Sequence, residues 1–211
     1  MDRKEFERRR KQLMRMVGAG GIAILPAAPI KTRSRDVEYR YRQDSDFYYL
    51  TGFAEPEAVA VLVPGRDGGE FLIFCRERNP QREQWDGSRA GQDGVMSDFG
   101  ADDAFPIEDI DDILPGIIEP CSRVYYTMGM YSEFDARIAD WVNSLRSGLS
   151  RGLHTPQEFV ALDHLLHDMR LYKSRGEIAA MRKSAKVAVE AHKRAMKMTR
   201  PGLYEFEVEA E

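Results

Sequence analysis

Histidine side chains are the first candidates for chemistry in this sequence. His164 and His167 stand three residues apart, so on a helix they share one face, and that spacing can chelate a metal ion. Asp163 and Asp168 flank them, but the sequence gives no clear third ligand, and an exposed helix face is the simpler interpretation. His154 and His192 have no partner visible in the sequence.

Acidic residues cluster between positions 98 and 112, a pattern that suggests cation binding. The cluster lacks the alternating Asp or Asn, the glycine and the distal Glu of a calcium loop. We therefore interpret it as a solvated helix start, where the helix dipole favours negative charge. The sequence contains no G-x-S-x-G, GKS/T or glycine-rich dinucleotide motif. Neither Cys75 nor Cys121 has the electropositive surroundings of a reactive thiol.

The N-terminal segment, residues 1–42, is basic, with twelve Lys or Arg against five Asp or Glu. The aromatic run YRYRQDSDFYYL that begins within it could stack on nucleic-acid bases. A basic outer helix face with an oligomer interface is the simpler interpretation. The whole chain has 31 basic and 35 acidic residues, which argues against a dedicated nucleic-acid or anionic-membrane binder.

Composition and hydropathy describe a soluble protein. The hydrophobic fraction is 43%, and no apolar run approaches the roughly 20 residues of a membrane helix. The first residues, MDRKEFERRRKQL, lack the apolar stretch of a signal peptide, and only two cysteines are present. These features predict a cytoplasmic location and no membrane partner.

Apolar periodicity predicts an α/β fold in which helices flank a mixed β-sheet. A helix over residues 4–17 should turn Arg8 and Arg9 outward. The turn sequence PGRDGGE joins two β-rich runs and predicts an antiparallel hairpin, which makes the sheet mixed. Further elements are predicted as strands at 21–27, 58–63, 71–76 and 123–126 and as helices at 107–118 and 131–145.

Residues 44–52 predict a short helix within an aromatic stretch. The run Asp44-Ser45-Asp46 can cap it and Gly52 ends it, with Phe47, Tyr48 and Leu50 facing inward. The stretch around it is rich in Tyr, Phe and Arg, as subunit interfaces often are.

The pattern changes after residue 152. Residues 158–169 are predicted to form an amphipathic helix, and Ser174 with Glu177 forms a capping box that begins a helix over 175–199. We expect one domain over 1–172 and an incomplete second domain over 173–211, which is too short to bury its own core. The ending RPGLYEFEVEAE resembles the start of an amphipathic helix, so we expect the front part of a longer protein.

Three segments together resemble the bacterial aminopeptidase P (Xaa-Pro aminopeptidase) family, of the creatinase and prolidase "pita-bread" superfamily. They are YRYRQDSDFYYLTGFAEPEAV, REQWDGSRAGQDGV and HDMRLYKSRGEIAAMRKSAKVAVEAH. The resemblance covers residues 4–211 in the same order. It implies an N-terminal α/β domain followed by a pita-bread metallopeptidase domain, of which residues 173–211 would be the beginning.

The resemblance implies an enzyme that releases the N-terminal residue preceding proline from peptides. Members use two metal ions, usually manganese, held by two Asp, one His and two Glu. None of those five ligands maps to this chain, so we expect it to bind no metal, to have no catalytic residue and to be inactive by itself. It would support oligomerisation and substrate access.

Two substrate-binding residues are implied by the resemblance. In tetrameric members a tryptophan of the N-terminal domain lines a neighbouring subunit's substrate pocket, and Trp85 in EQWDG matches it. An ordinary packing role for Trp85 is the alternative. An arginine near the domain junction also approaches a neighbouring site, and Arg151 is its nearest match, offset by one residue. The family's KSPEE is replaced here by KSRGE, which weakens the helix start.

A second hypothesis is a free-standing, non-catalytic module of the creatinase N-terminal type that acts by binding other proteins. The gene distinguishes the two, because only the enzyme requires an open reading frame that continues into the five metal ligands.

Overall fold

The structure, a computed structural model, describes residues 2–211, except for the side chain of residue 151. The chain divides into two compact units, residues 2–169 and 170–211. The strands are β1 (Gly21–Pro26), β2 (Thr32–Ser34), β3 (Val37–Glu38), β4 (Val59–Leu62), β5 (Phe71–Cys75), β6 (Asp103–Pro106), β7 (Arg123–Tyr125) and β8 (Glu158–Val160). The α-helices are α1 (Arg3–Val17), α2 (Ser45–Thr51), α3 (Pro80–Asp86), α4 (Gly91–Gly94), α5 (Ile110–Ile118), α6 (Ser132–Ser147), α7 (Asp163–Leu171), α8 (Arg175–Met198) and α9 (Glu205–Ala210).

A six-stranded mixed sheet forms the centre of the first unit. Its order is β6-β5-β4-β1-β7-β8. The β4–β5 hairpin and the β1–β4 pair are antiparallel, whereas β1–β7, β5–β6 and β7–β8 are parallel. The predicted fold class and hairpin are therefore confirmed.

Both faces of the sheet are covered, because the central strands are apolar throughout. Along β1, Ala23 and Leu25 face a core that includes residues of α1, α2 and α7. Ile22 and Ile24 face the opposite core, which includes residues of α5 and α6. This alternation follows from the two-residue period of a strand. The sheet is thus packed on both faces, and the loops extend from this packed core.

The outward orientation predicted for Arg9 is wrong, and the neighbouring Arg10 is buried as well. Arg9 is 1% exposed and Arg10 is 4% exposed. Their guanidinium groups each donate a 3.0 Å hydrogen bond to a backbone carbonyl near the C-terminal end of α2, Arg9 to Tyr49 and Arg10 to Leu50. The last carbonyls of a helix lack intrahelical donors. The two guanidinium groups therefore supply hydrogen-bond donors to the last carbonyls of α2, and their positive charge complements its dipole.

Three further differences from the predicted elements are found. Residues 158–160 form the edge strand β8 instead of the start of a helix, because β7 provides a parallel partner. Tyr48 is 43% exposed, and its neighbour Tyr49 is buried in its place. The helix predicted from Ile107 begins with one 3-10 turn and becomes α-helical at Ile110.

The second unit contains α8 and α9. The predicted capping box is present, since Ser174 Oγ accepts from Glu177 N at 3.2 Å and Glu177 Oε2 accepts from Ser174 N at 2.7 Å. Neither helix contains a buried residue. Among residues 2–211, no helix is both long enough and apolar enough to cross a bilayer.

Candidate functional site

An exposed segment between β5 and α4 carries the first candidate residue. We call residues 77–90 the Trp85 arm. It contains α3, a helix with no buried residues, on which Trp85 is 89% exposed. The structure places this tryptophan near the end of a short helix. A tryptophan presents a large apolar surface, and nearly all of this one faces solvent.

The two ends of the Trp85 arm are held together at the sheet. Glu55 Oε1 accepts from the backbone N–H of Ala90 at 2.8 Å, and its Oε2 lies 3.5 Å from Arg76. Gln92 Nε2 donates to the carbonyl of Cys75 at 3.1 Å. The residues that enter and leave the arm are therefore fixed to one another by half-buried polar groups.

Arg89 adds a brace within the arm. Its side chain is 9% exposed, and it donates to Asp86 Oδ2 at 3.2 Å and to the carbonyl of Glu77 at 3.4 Å. Asp86 is the neighbour of Trp85 at the end of α3. The buried guanidinium thus joins the end of the helix to the start of the arm.

The first turn of α3 is held by capping and an ion pair. Asn79 Oδ1 accepts from Arg82 N at 3.1 Å, as an N-cap does. Glu83 pairs with both Arg78 Nε and Nη2, at 3.1 and 2.9 Å, and this lowers the pKa of Glu83 and raises the pKa of Arg78. The arrangement orders the helix although α3 buries nothing. It also fixes the backbone that carries Trp85.

The other predicted site residue falls outside this description. The backbone of Arg151 lies in the 3-10 turn Leu149–Arg151, and its side chain lies outside the described residues. Trp85 and Arg151 both belong to segments that leave the sheet. The sequence did not identify Glu55 or Arg89, although both lie within the segments that carry the resemblance.

The histidine pair occupies an exposed face of α7. His164 Nδ1 lies 2.5 Å from the carbonyl of Ala161, and both His164 and His167 are exposed. Within residues 2–211, side chains of the described residues form no group of three His, Cys, Asp or Glu that could hold a metal. These residues therefore do not fit a dinuclear metal centre.

Both thiols are buried and unpaired. Burial raises the pKa of Cys75 to about 12 and that of Cys121 to about 11. A thiol with such a pKa is a poor nucleophile at neutral pH. The two cysteines thus belong to the core.

Comparisons with known proteins agree with the fold. The family model "Aminopeptidase P, N-terminal domain" matches residues 6–125. The Xaa-Pro aminopeptidase of Escherichia coli is 39% identical over all of this chain and 48% of its own length. An aminopeptidase from Pseudomonas aeruginosa covers all of this chain with a TM-score of 0.97 and 60% identity, and 48% of that chain is matched.

Solved structures of E. coli aminopeptidase P match with a TM-score of 0.94 and 38% identity, and one of them is a zinc-substituted form in complex with product. The chain spans about half the length of the relatives it matches. Since the family model covers more than half of the residues, the chain belongs to the aminopeptidase P family and contains its N-terminal domain.

Proposed function

We propose that this chain is the N-terminal portion of a metal-dependent Xaa-Pro aminopeptidase, which releases the N-terminal residue preceding proline from peptides. The observation that carries the proposal is the match of the entire chain to aminopeptidases P at up to 60% identity. In the proposal, residues 1–172 form the N-terminal α/β domain, and residues 173–211 begin the pita-bread domain. The protein works in the cytoplasm.

The chemistry is assigned to the half of the relatives' length that this chain does not span. The described side chains do not fit a metal centre, so the two manganese ions of the complete enzyme would be held elsewhere. The 211-residue chain by itself should be inactive. Manganese-dependent cleavage of an Xaa-Pro peptide by this chain alone would refute that assignment.

Trp85 is assigned to substrate contact in a neighbouring copy of a homo-oligomer, and Arg151 to the same role. Support for Trp85 comes from its 89% exposure on an arm that is fixed at its base. A rigid, exposed indole loses little conformational entropy when a partner or peptide covers it. The alternative of ordinary packing within the described residues does not agree with this exposure.

A chimaeric enzyme tests the role of Trp85. Residues 1–211 would replace the matching portion of the P. aeruginosa aminopeptidase, which is 60% identical. In this chimaera Trp85→Ala should lower kcat/KM for an Xaa-Pro peptide by about 30-fold, as expected for a buried aromatic anchor. Trp85→Phe should retain part of the activity. Arg82→Gln, on the same exposed helix, is the matched control and should change kcat/KM by less than about twofold.

Sedimentation of the same variants separates assembly from substrate contact. Trp85→Ala with full activity would remove Trp85 from the site. A loss of activity accompanied by dissociation of the oligomer would assign Trp85 to the subunit interface only. Loss of activity in an intact oligomer is the result that we expect.

A further inference from the structure

A cleft formed by loops of the first unit has no role in the proposed peptidase function. It lies between the residues that follow β1, the segment after β3 and the start of α6, and it has a volume of about 320 Å³. We call it the basic cleft. Three cations and three tyrosines line it: Lys31, Arg40, Arg42, Tyr39, Tyr41 and Tyr131.

The three cations of the basic cleft form no ion pair with any side chain that the structure describes. Lys31, Arg40 and Arg42 are exposed, and among the described residues no carboxylate lies within 4.0 Å of their charged groups. Arginine stays protonated at any physiological pH, so the charge is permanent. The protein as a whole has a net charge of −4, which makes an unpaired cationic cleft a local exception.

One carboxylate, that of Asp44, also lines the cleft, and it is engaged mainly in capping α2. Asp44 Oδ1 caps α2 by accepting from the backbone N–H groups of Asp46 and Phe47, both at 2.9 Å. Asp44 Oδ2 accepts from the hydroxyl of Tyr131 at 3.4 Å. Asp44 therefore places one negative charge in the cleft against the three positive charges of Lys31, Arg40 and Arg42.

The back of the cleft is rigid. The hydroxyl oxygen of Tyr41 lies 3.0 Å from both the carbonyl of Ala28 and Oε1 of Gln43. Gln43 Oε1 also accepts from Ala28 N at 2.9 Å, and its Nε2 donates to the carbonyl of Glu55 at 2.8 Å. Burial raises the pKa of Tyr41, so its hydroxyl remains a donor at neutral pH. Arg40 and Arg42 flank this fixed tyrosine in the sequence.

We propose that the basic cleft binds a small oxyanion, a phosphate or a carboxylate group, between Lys31, Arg40 and Arg42. The planar guanidinium group matches either oxyanion with two parallel hydrogen bonds, and the lysine adds a third positive charge. The three tyrosine rings line the cleft and would displace part of the water around a bound anion. This site is separate from the Trp85 arm and needs no metal.

Titration of the labelled 211-residue chain tests the proposal. Inorganic phosphate and, separately, succinate would be added at low ionic strength while backbone amides are followed by ¹H–¹⁵N NMR. We expect saturable shifts confined to residues 28, 30, 31, 39–45 and 131. The anion with the lower Kd identifies the group that the cleft prefers, and added salt should weaken both.

Matched double variants distinguish a specific anion-binding site from a general electrostatic attraction of anions to the positively charged surface. Arg40→Gln with Arg42→Gln should raise the Kd at least about tenfold, because each removes a charge-assisted hydrogen-bond donor. Arg33→Gln with Arg35→Gln removes the same charge from the β2–β3 hairpin outside the cleft and should change the Kd by less than about twofold. Equal losses in both pairs, or the absence of saturable shifts with either anion, would overturn the proposal.

Discussion

The buried guanidinium of Arg9 should make a large contribution to the stability of residues 2–169. It donates to the carbonyl of Tyr49 at 3.0 Å, pairs with Glu5 at 3.2 Å and lies 4.0 Å from the centre of the Tyr49 ring. The substitution Arg9→Met removes the charge and keeps an apolar chain of similar length. It therefore tests the polar contacts without opening a large cavity.

The expected loss follows from these contacts. A hydrogen bond from a charged donor to a buried carbonyl contributes about 1.5–3 kcal/mol. A desolvated cation–π contact contributes about 2 kcal/mol. The same guanidinium makes both contacts, so they do not add fully, and we expect Arg9→Met to lower the free energy of unfolding by about 3 kcal/mol.

Arg8→Met is the matched control. Arg8 also pairs with Glu5, at 3.0 Å, but its side chain is 58% exposed. Such a surface pair contributes at most about 0.5 kcal/mol. The comparison therefore keeps the helix, the Glu5 partner and the substitution constant, and it isolates the burial of Arg9 together with its contacts to Tyr49.

Equilibrium unfolding in urea provides the assay. Trp141 is 4% exposed and reports on the core of residues 2–169, whereas Trp85 is solvated in both states and should change little. A loss below about 1 kcal/mol for Arg9→Met would contradict the reasoning, because it would mean that desolvation of the guanidinium cancels its contacts. An equal loss for Arg8→Met would contradict it as well.

Three other predictions concern glycines and one carboxylate. Gly91 has a φ of 64°, and a Cβ there would lie 2.5 Å from Arg78 Cγ, so Gly91→Ala should lower the urea midpoint by an amount equivalent to about 1–2 kcal/mol. Gly116 is helical with open space around it, so Gly116→Ala should stabilise by about 0.5–1 kcal/mol in the same measurement. The backbone N–H and then the ring of His154 lower the pKa of Glu119 from its ordinary value of 4.5. The resulting stabilisation is present above that value and is lost as the pH falls through the folded-state pKa; a ¹³C titration should find a midpoint below 4.5 that rises in His154→Ala.

Sequence patterns predicted the elements whose local and tertiary preferences agree. The strands β1, β4 and β5 are continuous apolar runs, so their positions were predicted from the sequence. The caps of α2 and α8 were also predicted, since a cap depends on residues within one turn. These features need no knowledge of the partner elements.

The features that the sequence did not predict depend on distant partners. Arg9 is buried because α2 presents an unsatisfied carbonyl forty residues away. The edge strands β6 and β8 are short and half-buried or exposed, and each forms because a neighbouring strand offers a parallel edge. Periodicity within a segment carries no information about such partners. The same holds for Glu55 and Arg89, whose roles arise only when the ends of the Trp85 arm meet.

Glu55 connects the two exposed features of the first unit. Its carboxylate fixes the base of the Trp85 arm through Ala90 N and Arg76, whereas its backbone carbonyl accepts from Gln43 behind the basic cleft. The arm thus depends on the side chain of Glu55, and the cleft depends only on its backbone. The two features can therefore be perturbed separately although one residue supports both. Both exposed loops are thus held at the same end of a packed sheet. Trp85 and the basic cleft can therefore contact ligands while the core that supports them stays unchanged.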